Sequence, residues 1–230
     1  MLKKIGDKKP LAQFVADEII RLIEEGKLKP GDKLPSESEL MESLSVGRGS
    51  IREAIKILVS RNIVTIRRGV GTYVSEKKGI SDDPLGFSFI EDKQQLVHDS
   101  MAVRALLEPS IAKWATIHAS DEEIEEIERM CHVIEDKIRA GEDYGDADVE
   151  FHTQIAKSTK NLVVSNLIPI LNMNIRMLID VTQASLKEET IITHRNIVEA
   201  LKKRDAEAVF LAMNAHMSIN QERINRLSKK

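Results

Sequence analysis

The chain has 230 residues, of which 42% are hydrophobic, 31% charged and 3% aromatic, so two small domains built mainly from helices are expected. Its one cysteine excludes an intramolecular disulfide, no apolar run reaches the roughly 20 residues that cross a bilayer, and residues 1–10 lack a signal-peptide core, so we expect a cytoplasmic protein that does not enter a membrane. Residues 1–78 carry 16 Lys and Arg against 11 Asp and Glu (16 − 11 = +5), whereas residues 79–230 carry 18 against 26 (18 − 26 = −8), which suits a nucleic-acid reader joined to a second function.

Three helices are predicted before residue 62. The first follows Pro10 as a one-sided apolar stripe and ends near Gly26. Ser36 and Glu39 form a capping box for a short second helix that ends near Leu44. A tight turn over residues 45–47 leads to a third helix, and Asn62 can close it in a left-handed conformation.

The third helix carries a row of cations opposite its apolar side. Arg48, Arg52 and Lys56 recur at intervals of four residues and therefore share one face. A basic helix face is often only solvated. Here it follows a helix and a tight turn, which is the pattern of a helix-turn-helix whose second helix enters the major groove.

Residues 63–74, IVTIRRGVGTYV, alternate like two strands joined by a tight turn. Arg67 and Arg68 supply charge at its tip for phosphates or the minor groove, and Gly69 and Gly71 permit close approach to DNA. The first part of the chain is therefore predicted to be a winged helix-turn-helix.

This segment resembles the amino-terminal domain of the GntR superfamily of bacterial transcription regulators. The motifs PGDKLPSE, VxR, IREA and GxGTYV occur in the order and spacing of that family. The resemblance implies that Arg48 and Arg52 bind an operator, that Ser50 contacts a phosphate or base edge, and that Gly69 lies at the wing tip. Two positions depart from the family: Ser38 replaces the usual Arg after LPSE, and Gly47 replaces the usual Ser or Thr, so the operator sequence can differ.

The composition changes after Val74. We expect a DNA-binding domain at residues 1–76, a polar linker at residues 77–83 and an all-helical antiparallel bundle at residues 84–230, for a mostly α fold overall. The helices are predicted at residues 85–90, 93–118, 121–140, 144–158, 162–181, 186–203 and 206–227. Ser120 with Glu123 and Asp205 provide start signals.

Four side chains in the second domain form a candidate metal site. Asp148 and His152 are four residues apart on one helix face, and His194 and His216 lie on the last two helices. If these helices adjoin, one carboxylate and three imidazoles suit Zn²⁺, or alternatively Ni²⁺ or Mn²⁺. The remaining histidines lack such neighbours and are interpreted as ordinary surface or partly buried residues.

Residues 84–228 resemble the FCD effector domain of the FadR-like GntR subfamily. VRALLEPSIAKWA resembles its opening motif and DVEFH its Asp-x-x-x-His element. The resemblance implies that Asp148, His152, His194 and His216 are metal ligands, and that Arg104 anchors a carboxylate effector. A pair between Arg104 and Glu108, four residues apart, is the alternative for that arginine.

A further polar group interrupts an apolar helix. Asn172 and Arg176 share a face and could hold an anionic, hydroxylated ligand, although Arg176 could instead pair with Asp180.

Together these features predict a homodimeric repressor on a pseudo-palindromic operator, switched by a small carboxylate such as lactate, gluconate or a uronate. A metal-free sensor of acyl-CoA and a metal-dependent enzyme fused to a DNA anchor are the alternatives. The enzyme is disfavoured because the sequence offers no dedicated general base near the ligands.

Overall fold

The computed structural model describes residues 10–76, 79, 83–172, 175, 179 and 187–227. The chain divides into two compact units, Met1–Pro84 and Leu85–Lys230. The predicted linker at residues 77–83 falls almost entirely outside the described residues.

The described residues of the first unit form three helices and a hairpin. Helix α1 spans Leu11–Glu24, α2 spans Glu37–Leu44 and α3 spans Arg48–Ser60, followed by strands β1 (Val64–Arg67) and β2 (Gly71–Val74). Helix α1 packs on α3, and α3 also packs on α2 and β1. Their buried apolar side chains form one core, centred on Ile19, Ile51 and Leu58.

The helix ends follow the predicted signals. Ser36 accepts a hydrogen bond from the Glu39 amide while the Glu39 carboxylate accepts one from the Ser36 amide, which confirms the capping box. Asn62 has φ of 50°, as predicted for the residue that closes α3. Ser45 has φ of 52° and makes the sharp turn that sets α3 against α2.

The hairpin of β1 and β2, which forms the wing, is stabilised by hydrogen bonds with the loop at residues 32–34. The sequence pattern did not predict this contact. β1 and β2 pair in antiparallel register from Val64 with Val74 to Arg67 with Gly71. The amide of Leu34 donates to Thr72 O (2.8 Å), and the amide of Val74 donates to Asp32 O (2.8 Å). The loop therefore lies along β2 like a short third strand.

The second unit contains six described helices. They are α4 (Lys93–His118), α5 (Asp121–Ala140), α6 (Gly145–Ser158), α7 (Leu162–Asn172), α8 (Lys187–Lys202) and α9 (Ala206–Leu227). Helix α9 packs on α4 and α8, α5 packs on α6 and α8, and α6 also packs on α7 and α4. Phe151, Ile127 and Leu201 lie in the centre of this core.

These elements confirm the predicted fold class: a winged helix-turn-helix followed by an all-helical domain. One helix was predicted wrongly, because residues 85–90 contain only a 3-10 turn at Phe87–Phe89. Gly86 has φ of 68°, outside the helical region, and so prevents a continuous helix there. Among the described residues, no helix is both long and apolar enough to cross a membrane.

Candidate nucleic-acid interface and candidate metal centre

Helix α3 presents its cations to solvent. Arg48 begins the helix, and Arg48, Arg52 and Lys56 are all exposed, whereas Ser50 is half-buried. The opposite side carries Ile51, which is fully buried in the core of the unit. The three cations therefore lie on a face that is available to a polyanion.

Two of these cations, Arg52 and Lys56, lie near exposed carboxylates. Arg52 Nε lies 3.9 Å from a Glu37 carboxylate oxygen, and Lys56 Nζ lies 3.3 Å from Glu53. Ion pairs between exposed side chains contribute little to stability, so phosphates can replace these carboxylates at small cost.

The wing tip combines charge with a tight turn. Gly69 has φ of 72°, and the Val70 amide donates to Arg67 O (2.9 Å). The Arg67 guanidinium lies 4.3 Å from the centre of the Tyr73 ring, and Arg68 is exposed beside it. Arg67 is therefore held over the hairpin face while Arg68 extends from the tip.

The two departures from the family pattern have different surroundings. Ser38 is exposed on α2. Gly47 precedes α3 and supplies no side-chain cap, so no serine or threonine hydroxyl competes for the first amides of that helix.

Three histidines from separate helices converge inside the second unit. His152 of α6, His194 of α8 and His216 of α9 are buried, and each offers a nitrogen that lies within 4.8 Å of the others. Their ring centres are 4.6 to 5.5 Å apart. The predicted adjacency of the three helices is thus present, and Phe151 stacks against His194 at 4.4 Å.

Asp148 approaches two of these rings. One carboxylate oxygen lies 3.5 Å from His194 Nε2 and the other lies 3.8 Å from His152 Nε2. Asp148 is not one of the residues whose potential ligand atoms all lie within 4.8 Å of one another. Burial raises the pKa of Asp148, and the neighbouring His152 and Arg104 only partly oppose this effect.

The unsatisfied nitrogens fit a metal ion. Within the described part of the chain, His152 Nε2 and both nitrogens of His194 have no hydrogen-bond partner, although all are buried. Burial lowers the pKa of His194 and of His216 well below 6.5, so both rings are neutral at pH 7 and can donate a lone pair. Neutral imidazoles beside a carboxylate are a donor set that Zn²⁺ and related ions accept.

Glu108 links the predicted effector arginine to this cluster. Arg104 Nε donates to one Glu108 oxygen (2.5 Å), and the other oxygen lies 2.5 Å from His152 Nδ1. Burial would raise the pKa of Glu108, but the charges and hydrogen bonds of Arg104 and His152 outweigh it and hold this pKa far below its usual range. The alternative Arg104 to Glu108 pair is therefore present.

Several buried polar atoms of α4, α6 and α7 lack hydrogen-bond partners among the described residues. They are Arg104 Nη2, Thr153 Oγ1 and both amide atoms of Asn172, all of them buried. Arg104 and Asn172 were predicted as effector contacts, and Thr153 was not. Arg176, the third predicted contact, lies outside the described residues.

Three contacts were missed at the sequence level. Thr193 and Asn220 both touch the His216 ring, and Glu108 touches His152. Asn220 could have been found, since it follows His216 by four residues on one helix face. Thr193 could not, because it meets His216 only through the packing of α8 on α9.

Comparison with known protein families gives one match in each of the two units. Residues 11–74 match the bacterial regulatory proteins of the gntR family, and residues 99–218 match the FCD domain.

Similar proteins cover nearly the whole chain. YcbG of Bacillus subtilis, an HTH-type transcriptional regulator, is 31% identical over 95% of this chain and 91% of its own length. The HTH-type transcriptional repressor NanR of Cronobacter sakazakii is 27% identical over 92% of this chain and 84% of its own length. The structure of a GntR protein from Streptococcus agalactiae aligns with a TM-score of 0.79 and 38% identity, covering 91% of this chain and 99% of that one.

Proposed function

Because this chain belongs to the gntR family of bacterial regulatory proteins with an FCD domain, and is a DNA-binding transcription regulator, we propose that it is a repressor released from its operator by a small carboxylate. We assign metal binding to Asp148, His152, His194 and His216. The observation that carries this proposal is the convergence of three buried imidazoles, of which His152 Nε2 and both nitrogens of His194 lack hydrogen-bond partners among the described residues.

An ion held by these residues would supply the positive charge that attracts an effector carboxylate. Arg104 Nη2 and the Asn172 amide then offer hydrogen bonds to the rest of the effector, and Arg176 is retained as a predicted contact. The repressor assignment is supported by the name of the NanR relatives.

DNA binding is assigned to two groups of residues. The helix face comprises Arg48, Ser50, Arg52 and Lys56, and the wing tip comprises Arg67, Arg68 and Gly69. We propose that two copies of the chain act together, because a helix-turn-helix reads a pseudo-palindromic operator as a dimer. In this proposal the DNA-binding domain comprises residues 1–76, the linker residues 77–83 and the effector domain residues 84–230.

Two measurements test this proposal. Protein purified without chelator should retain a transition metal, and His194→Ala should lose it while His98→Ala, at an exposed histidine, should not. Fluorescence anisotropy with DNA from upstream of the chain's own gene should give binding that lactate, gluconate or a uronate weakens. Affinity no greater than for unrelated DNA would refute the regulator assignment, and metal-free protein with intact DNA binding would refute the metal site alone.

A further inference from the structure

The Thr193 hydroxyl lies between the backbone of its own helix and the ring of His216. Its oxygen is 2.7 Å from Glu189 O, 3.3 Å from Thr190 O and 2.8 Å from His216 Nδ1. Thr193 and His216 are both buried, with exposed fractions of 6% and 4%, so water does not compete for these bonds.

The donor and acceptor roles at this contact are determined by elementary chemistry. A hydroxyl has one proton, and both nearby carbonyl oxygens can only accept, so the Thr193 proton points to the backbone. The hydroxyl oxygen must then accept a hydrogen bond from the N–H of His216 Nδ1. A ring protonated at Nδ1 alone carries its lone pair on the second nitrogen, Nε2.

The other side of the ring agrees with this assignment. His216 Nε2 lies 3.2 Å from Asn220 Nδ2, and an amide NH₂ group can only donate. Nε2 therefore accepts a hydrogen bond, as a nitrogen without a proton does.

We propose that Thr193 is a positioning residue for the metal centre: it holds His216 in the tautomer protonated at Nδ1, so that Nε2 is its coordinating nitrogen. The inference rests on the proposed metal site. A histidine ligand whose second nitrogen is fixed by a hydrogen bond needs no change of tautomer or ring orientation when an ion binds, and loss of such a partner commonly weakens metal affinity 10- to 100-fold.

The hydrogen bond from Asn220, unlike that to Thr193, should oppose metal binding. The Asn220 amide occupies the nitrogen that the metal requires, so binding must break that hydrogen bond. Removing the amide should therefore not weaken metal binding, although it frees the same ring that Thr193 holds.

The tautomer can be tested before any metal is added. Nitrogen-15 NMR of the chelator-treated full chain should show His216 protonated at Nδ1 in the wild type, and a shift toward the Nε2-protonated form in Thr193→Val. A wild-type His216 protonated at Nε2 overturns the proposal whether or not the protein binds metal.

The consequence for affinity is tested by Zn²⁺ competition against a chelating dye. Thr193→Val should bind Zn²⁺ about 10- to 100-fold more weakly, Thr193→Ser should remain close to the wild type, and Asn220→Ala should bind no more weakly than the wild type. Thr116→Val is the matched control, because Thr116 is equally buried and donates to Ala112 O (2.9 Å) on α4.

The outcomes separate the two proposals. Wild-type protein that does not bind Zn²⁺ refutes the metal site of the proposed function, whereas the NMR result still decides the tautomer. Wild-type binding with an unchanged Thr193→Val affinity refutes the positioning role. An equal loss of Zn²⁺ affinity in Asn220→Ala also refutes the positioning role. Either hydrogen bond to the His216 ring would then serve equally well, and the tautomer would not matter. Thermal unfolding of each metal-free variant identifies any loss that reflects misfolding.

Discussion

Glu108 connects two residues of the proposed effector site through a single buried carboxylate. Arg104 and His152 contact different oxygens of this group, and the exposed fractions of the Arg104 and Glu108 side chains are 4% and 3%. Such a carboxylate neutralises the arginine and at the same time fixes the imidazole, so Arg104 can offer only its remaining N–H groups to an effector.

Glu108→Gln should reduce both stability and metal affinity. Removing the charge leaves Arg104 buried without its counterion, which costs about 3–5 kcal/mol in the free energy of unfolding measured with urea. Glu207→Gln is the control, because the side chains of Glu207 and its partner Lys113 are 67% and 46% exposed, so loss of this ion pair should cost below about 1 kcal/mol. Equal losses in the two variants would contradict the proposed role of burial.

Stability of the metal-free protein should depend on pH through His194 and His216. Burial, together with neighbouring charges, lowers the pKa of both below 6.5, so the unfolded chain binds more protons than the folded chain as pH falls below 6.5. The free energy of unfolding should therefore be highest above pH 6.5 and decrease below it, by at most about 1.4 kcal/mol per pH unit for each ring.

The raised pKa of Asp148 acts in the opposite direction and reduces this slope, since the folded state then takes up its proton first. Urea unfolding of chelator-treated protein between pH 7.5 and 5.5 measures the effect, and His194→Gln should flatten the profile. A wild-type profile that is already flat would contradict the desolvation of these rings.

At the scale of elements, one face of helix α3 packs in the core and stabilises the fold, whereas another face carries the cations proposed to bind DNA. Ile51, Ala54 and Leu58 are fully buried, while Arg52 and Lys56 are exposed. A change at an exposed cation should therefore alter recognition without loss of folding.

Arg52→Ala should remove specific operator binding. Loss of an arginine that reads a base costs about 1–3 kcal/mol per half-site, which corresponds to roughly 5- to 150-fold in affinity. Arg61→Ala removes the same charge from the far end of the helix and should have a smaller effect on specific binding. Anisotropy against operator and scrambled DNA distinguishes the two, and unchanged discrimination in Arg52→Ala would count against the predicted recognition face.

Local signals explain why most elements could be predicted from the sequence. The capping boxes at Ser36 and Ser120 and the side-chain cap at Asp205 mark helix starts that are confirmed. The pairing of residues 32–34 with β2 was not predicted, because contacts between residues distant in the chain leave no local periodicity. Similarly, the candidate ligands could be chosen from the sequence by residue type. The contact of Thr193 with His216, and the absence of a partner for the Asn172 amide within the described part of the chain, depend on tertiary packing and could not.

At the scale of the whole molecule, the proposed switch is a coupling between effector binding in one unit and DNA binding in the other. A ligand can shift the protein between two states only if it binds them with different affinity. The sequence divides its charge in the same way, with the basic part near the amino terminus and the acidic part after it.

This coupling should be reciprocal. If an effector weakens operator affinity by a given factor, saturating operator DNA should weaken effector affinity by the same factor, typically 5- to 150-fold. Isothermal titration of the carboxylate into free protein and into the protein–operator complex measures this factor. Arg52→Ala, which should not form the specific complex, serves as the control and should bind effector equally with and without DNA. An effector affinity that is the same in free protein and in the wild-type protein–operator complex would contradict the proposed coupling.

The three histidines also have a consequence for unfolding, because they come from helices that are distant in the chain. An ion held by His152, His194 and His216 would tie the segments between them into two closed loops in any partly open state. A cross-link of this kind removes chain entropy from the open states, as a disulfide does. Amide hydrogen exchange in α6, α8 and α9 should then slow together when metal is present, as one cooperative block, while exchange in α1 to α3 should not change.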